Sequence, residues 1–192
     1  GTGDAGGDME DVSAGQWLED IDTAISELRE TSGHEKTSII GLRLGALLAT
    51  EICKRREDID RLVVWDPILS GSAYEQELTY ALENKPVEDD LDNDNFIDEQ
   101  GTMYFNGFPL TKVFREGLNT FDMIRGDVNV EKILQIVSHE NDNFQQIKQF
   151  WQLREHYNYL HVPSPGDWNY VDDFGGILLP QPVIQAIVNW FD

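Results

Sequence analysis

Thr37-Ser38-Ile39-Ile40-Gly41-Leu42-Arg43-Leu44-Gly45-Ala46-Leu47-Leu48-Ala49-Thr50-Glu51-Ile52-Cys53 is the stretch that decides the fold. A short β-branched run enters a Gly-x-x-x-Gly turn, and an apolar segment rich in Ala and Leu leaves it. Branched side chains suit a pleated sheet, glycine passes a sharp turn, and Ala and Leu favour a helix. The reading is strand, tight turn, buried helix, with both glycines expected to serve the turn. A second apolar run, Arg61-Leu62-Val63-Val64-Trp65, ends at Asp66-Pro67. Two apolar strands joined through a helix pair in parallel by a right-handed crossover, so the class is α/β.

Upstream, Trp17, Ile21, Ala24, Ile25 and Leu28 recur at helical spacing between Ser13 and Glu30. Asp11 or Ser13 can cap the first turn, and Gly33 can end the helix in a left-handed conformation. Downstream, from Ser70 to Gly126, the alternation breaks down into a helix over 73–83, an acidic stretch from Glu88 to Glu99 and the aromatic run Met103-Tyr104-Phe105. Alternation then resumes with a strand at Lys132–Ser138, a helix at Phe144–Arg154 carrying Ile147, Phe150, Trp151 and Leu153, and a strand at Tyr157–Val162. The last helix, Pro182–Phe191, has proline in its first turn and Val183, Ile187, Trp190 and Phe191 along one side. The organisation expected is a core of residues 1–69 and 127–192 interrupted by a lid-like insertion at 70–126, with no internal repeat.

The chain has 192 residues, 40% of them hydrophobic, enough for one domain with a sizeable core. Its 36 Asp and Glu against 14 Lys and Arg give a net charge of −22, which repels phosphate backbones and anionic membranes. Nucleic acid is excluded as a partner. No apolar run approaches the ~20 residues needed to cross a bilayer. The single cysteine, Cys53, lies among apolar neighbours and reads as a packed thiol, so the expected location is cytoplasmic. The acidic stretch superficially resembles a calcium loop but lacks the Gly and Glu spacing of an EF-hand, and it reads as a solvated loop. The spacing of His34, His139, His156 and His161 matches no zinc motif, and no metal or cofactor is expected.

A strand ending in Gly-x-x-x-Gly ahead of a helix is the setting of a nucleophile elbow, whose middle residue attacks a carbonyl while the next N–H binds the oxyanion. Here that residue is Arg43. A guanidinium has no usable lone pair and stays protonated, so it serves as neither nucleophile nor base. The opening Gly1-Thr2-Gly3-Asp4-Ala5-Gly6-Gly7-Asp8 resembles the loop after the fourth strand of α/β-hydrolases. Gly41 to Ala49, Leu62-Val63-Val64-Trp65-Asp66-Pro67-Ile68-Leu69-Ser70-Gly71 and Gly107-Phe108-Pro109-Leu110-Thr111 resemble the exosortase A system-associated hydrolases of the second type, which also tend to carry arginine at the elbow.

The resemblance implies a mostly parallel α/β-hydrolase-like sheet with flanking helices, its N-terminal strands lying before Gly1. A further segment or a second chain is then expected to complete the sheet beside the elbow strand. It also places the catalytic acid after Leu134-Gln135-Ile136-Val137-Ser138, making Glu140 or Asp142 the matching carboxylates. The catalytic histidine should follow the last strand, yet residues 163–180 contain none, and His161 is the nearest.

The catalytic candidates are therefore Glu140, Asp142, His139 and Asp66. Arg43, Leu44 and Trp168 are candidate ligand-binding residues, because a helix N-terminus beside a guanidinium suits a carboxylate or phosphate. The competing reading of Arg43 is an internal ion pair with Asp66, Glu140, Asp142 or Asp167. Trp151, Trp168, Tyr170 and Phe174 either line a pocket or pack the core and lid. The leading function is a non-catalytic ligand-binding or scaffold protein with a small-molecule or acyl ligand, linked by resemblance to exosortase and exopolysaccharide systems. The alternative is an esterase or thioesterase using Ser70, Ser138 or a water activated by Glu140, with Arg43 stabilising the oxyanion. A third reading, an acidic interaction module, rests on the Glu88 to Glu99 stretch.

Overall fold

The computed structural model describes residues 6–84, 95–105, 107–164 and 180–192. They fall into two compact units, Gly1–His34 with Ile68–Arg125, and Glu35–Pro67 with Gly126–Asp192. The helix upstream of the elbow strand thus groups with the 68–125 segment.

The unit that contains the elbow is a four-stranded sheet. Its strands β1 (Thr37–Leu42), β2 (Ile59–Trp65), β6 (Lys132–Val137) and β7 (Tyr157–His161) are ordered β1-β2-β6-β7, and every pair is parallel. Helices α2 (Leu44–Cys53), α5 (Asp142–Trp151) and α6 (Gln181–Phe191) alternate with them. β2 and β6 are buried along nearly their whole length, as apolar strands covered on both faces must be. Val183 and Ile187 of α6 close over Val63, Trp65, Leu134 and Ile136 on one face.

β1 is the edge of this sheet, and its register places Ile40 and Leu42 beside Val63 and Trp65. Those two side chains remain 54% and 37% exposed. Gln135 is the polar residue in the buried middle of β6, and it is satisfied on both sides. Its amide donates to the Phe144 carbonyl at 2.9 Å, and its oxygen accepts from Tyr157 Oη at 2.6 Å. Buried polar groups are tolerated on that condition.

In the second unit, α1 (Ala14–Ser32) begins where Ser13 accepts from the Gln16 N–H and ends at Gly33 with φ 72°. Of the two N-cap candidates in the sequence Ser13 is the one used, and Gly33 is the expected C-cap. Trp17 packs edge-on against Phe114 of α4 (Lys112–Leu118), with ring centroids 4.8 Å apart. Helix α3 (Gly71–Glu83) starts against the end of α4, where a Cβ on Gly71 would fall 2.0 Å from the Leu118 carbonyl oxygen.

Three short antiparallel strands, β3 (Phe96–Ile97), β4 (Met103–Phe105) and β5 (Phe108–Leu110), form a separate sheet. Arg115 ties it to the helices by donating to the Glu75 carboxylate and, at 2.6 Å, to the Gly101 carbonyl. No described helix is long and apolar enough to cross a membrane.

Candidate ligand site at the strand-to-helix elbow

Gly41 is indispensable to the elbow. A Cβ there would lie 2.5 Å from both the Ala46 Cα and the Gly45 carbonyl oxygen, so the strand can approach the first turn of α2 this closely only without a side chain. The second glycine departs from expectation. Beyond its chain neighbours and its own helix backbone, no described atom lies within 4 Å of a Cβ on Gly45, and its φ is not in the left-handed region. The turn itself is made by Arg43, at φ 52° and ψ −119°.

That conformation is rare for a residue with a side chain, and holding it costs about 1–3 kcal/mol. The backbone on either side supplies the restraint. The Arg43 N–H donates to the Trp65 carbonyl at 2.9 Å, and the Arg43 carbonyl accepts from the Ala46 N–H at 3.0 Å. Arg43 is thereby held at the apex of the turn ahead of α2, a helix with no side-chain cap. Arg43 and Leu44 are both half-buried.

The neighbouring strand end is strained as well. Asp66, directly after β2, has φ 41° and is fully buried. Its backbone N–H continues the ladder to the Ile136 carbonyl at 3.0 Å. Its carboxylate accepts from the Ser138 N–H at 2.7 Å on one oxygen and from Ser138 Oγ at 2.7 Å on the other. Ser138 Oγ lies 3.1 Å from His139 Nδ1. Asp66 and His139, far apart in sequence, are thus joined through Ser138. Ser138 is 3% exposed, and its Oγ donates to the Asp66 carboxylate and lies within hydrogen-bond distance of the His139 ring.

Glu140 is the other carboxylate at these strand ends. Its Oε2 accepts from Tyr159 Oη at 2.9 Å and from the Gln145 amide, while Oε1 faces His161 Nδ1 at 3.6 Å. Partial burial pushes its carboxyl upward, but the hydrogen bonds from Tyr159 and Gln145 and the charges of His161 and Lys148 outweigh that and lower it. Burial, then the hydrogen bond and charge of Glu140 and the charge of Asp66, push the Tyr159 phenol well above its ordinary value. Lys148 sits 4.0 Å over the Tyr159 ring.

His161 was the residue nearest the expected histidine position, and the structure sets it against Glu140. No spacing rule identifies that pair, because the two residues come from different strand ends. Asp142 occupies the exposed first turn of α5, where a negative charge suits the helix dipole. Ser70, in the other unit, caps α3 by accepting from the Ala73 N–H at 3.2 Å. Trp168, Asp167, Tyr170 and Phe174 lie outside the described residues, as does the acidic stretch up to Asp94. Trp151 is core, 1% exposed, and edge-on to Tyr157. Among the described residues, no cluster of His, Cys, Asp and Glu could hold a metal ion.

The sequence matches no family model. No curated protein matches it. Solved structures do. A protein of Agrobacterium vitis S4 assigned as a hydrolase aligns with 99% of this chain and 73% of its own, at 15% identity and a TM-score of 0.59. An alpha/beta hydrolase enzyme from the sediment metagenome of the Mar Chica lagoon, Morocco, aligns with 95% of this chain and 71% of its own, at 14% identity and a TM-score of 0.53. The monoacylglycerol lipase of Paleococcus ferrophilus aligns with 93% of this chain and 75% of its own, at 13% identity and a TM-score of 0.52. With its sheet in the order β1-β2-β6-β7, a sharp elbow closing β1 and neighbours of this kind, the chain has the α/β-hydrolase fold.

Proposed function

We propose that this protein uses the α/β-hydrolase elbow to bind a ligand rather than to cleave one, in the manner implied by its resemblance to the exosortase A system-associated hydrolases of the second type. The observation that carries this reading is Arg43 at φ 52° and ψ −119° in the elbow. The backbone keeps the shape that displays a nucleophile, and the residue displayed is a permanent cation. The ligand class is a carboxylate or phosphate, including the head of an acyl chain, met by the guanidinium and the N–H groups opening α2.

In this reading Trp168 contributes to the ligand site, the 70–126 segment is a lid-like insertion, and the protein works in the cytoplasm in an exopolysaccharide or protein-sorting context. Polypeptide outside these residues completes the sheet beside β1, an edge strand that leaves Ile40 and Leu42 exposed. A monodisperse, cooperatively folding monomer of the 192 residues alone refutes that completion.

The test treats the complete polypeptide with a fluorophosphonate probe, assays short acyl esters and thioesters, and measures octanoate and inorganic phosphate binding by calorimetry. The expected result is no covalent label, no turnover, and binding of one anion that Arg43→Ala abolishes. A labelled serine with turnover overturns the proposal.

One observation favours a second reading. Glu140 and His161 form an acid–imidazole pair at adjacent strand ends, the arrangement that activates water in a hydrolase. Turnover without a covalent label, lost in both His161→Ala and Glu140→Gln, identifies that case.

A further inference from the structure

We propose that Asp66 and Ser138 preset the exposed His139 as a hydrogen-bond acceptor at the carboxyl end of β6. Contacts on opposite sides of the ring fix the same tautomer.

The first starts in the core. Ser138 Oγ donates to Asp66 Oδ2 at 2.7 Å, so the hydroxyl proton lies on that contact. The Ser138 oxygen can then only accept along its 3.1 Å contact to His139 Nδ1, and Nδ1 must carry a proton. The second starts at α5. Asn141 caps that helix by accepting from the Phe144 N–H at 2.8 Å through its carbonyl oxygen, which fixes which end of the amide is which. The end turned to the ring is therefore the NH2 group, 3.4 Å from His139 Nε2. A donor there requires Nε2 to hold a lone pair.

The contact to Asn141 is long and weak, so a ligand donor can displace it. Behind the ring the support is rigid. Asp66 is fully buried, Ser138 is 3% exposed, and Phe144 holds the imidazole at a centroid distance of 5.2 Å. His139 itself is exposed. An orienting acid acting through a hydroxyl, with the second ring nitrogen left as an acceptor on an exposed residue, is the requirement for recognising a hydroxyl donor. The ligand group that Nε2 receives is a hydroxyl donor, an alcohol or a water molecule, which keeps its proton and hydrogen-bonds to the ring. Ser138 and Asp66 are positioning residues. The tautomer is set whether or not Arg43 binds an anion.

The experiment is nitrogen-15 NMR of the histidine rings in the complete, ligand-free polypeptide, above the pH at which His139 is protonated. The expected spectrum shows His139 protonated at Nδ1 and bare at Nε2, the reverse of the form an unpartnered imidazole favours. Ser138→Ala shifts His139 towards that ordinary form. Asn141→Ser, which keeps a helix cap but removes the amide donor, leaves the tautomer as in the parent protein. Diethyl pyrocarbonate is expected to acylate His139 at Nε2, several-fold more slowly in Ser138→Ala. A parent spectrum with the proton on Nε2 overturns the proposal whatever the variants do. So does acylation at Nδ1, or a Ser138→Ala protein that folds and keeps both tautomer and rate.

Discussion

Replacing Gly41 with alanine tests the close approach on which the elbow is built. The added Cβ would meet the Ala46 Cα at 2.5 Å, the Gly45 carbonyl oxygen at 2.5 Å and the Ala46 nitrogen at 2.7 Å. All three are backbone atoms of the first turn of α2, so no side chain can swing aside, and either the helix or β1 must move. Overpacking a rigid site costs typically 1–3 kcal/mol, and a clash with backbone belongs at the upper end, about 3 kcal/mol. For a chain of this length each kcal/mol lowers the melting temperature by roughly 2–4 °C, so the expected loss is about 6–12 °C. Thermal unfolding followed by far-ultraviolet circular dichroism reads it directly. Gly45→Ala is the control: beyond its chain neighbours and own helix backbone its Cβ meets no described atom within 4 Å, and alanine is favoured over glycine inside a helix by about 1 kcal/mol. It should melt at or above the parent temperature. A Gly41→Ala protein melting within about 2 °C of the parent refutes the argument, because it would mean the turn relaxes at no cost.

Other perturbations follow from the same geometry. Arg43→Gly should be more stable than Arg43→Ala by about 1 kcal/mol or more, since only glycine occupies φ 52°, ψ −119° without strain; equal denaturant midpoints for the two variants would show that the conformation is unstrained. Cys53 is buried and its thiol is pushed up to about 12 by that burial, so a thiol reagent at neutral pH should label it only after unfolding; rapid labelling of the folded protein contradicts this. Burial, followed by neighbouring negative or phenolic charge, raises the phenols of Tyr157 and Tyr159. The folded state therefore keeps protons that the unfolded state loses, and stability should fall as pH rises beyond about 10. Denaturant titrations across that range should show the loss, flattened in Tyr159→Phe; a flat parent profile would contradict the assignment.

Much of the sheet was legible because its signals are local. The β-branched run before Gly41, the cap at Ser13 and the left-handed Gly33 each act within a few residues, and the elements they bound fall where expected. The three-stranded sheet at 96–110 was not legible beyond its aromatic run. Strands of two and three residues carry no periodicity, and their register is set by partners such as Phe96 stacking on Tyr104. The site divides the same way. Arg43 was visible because a turn motif announces the apex, whereas the contact between Asp66 and Ser138 spans 72 positions, and nothing local in either residue marks it.

The two strained residues share one location, and this bears on what the elbow does. Arg43 and Asp66 are the non-glycine residues with positive φ among those described, and they follow adjacent parallel strands. Ligands in open α/β sheets bind in the crevice beyond the carboxyl ends of the strands, where these two residues stand. Each strain is held by the next strand in the row: Arg43 N–H on Trp65, Asp66 N–H on Ile136. The sheet therefore transmits rigidity sideways from its buried strands β2 and β6 to its exposed edge β1. That restraint comes from backbone hydrogen bonds and not from the side chain at the apex, so it holds whatever side chain stands at position 43. A fold built to hold one side chain against its conformational preference can serve binding as well as cleavage, and in this chain the atoms at the apex are those of a cation.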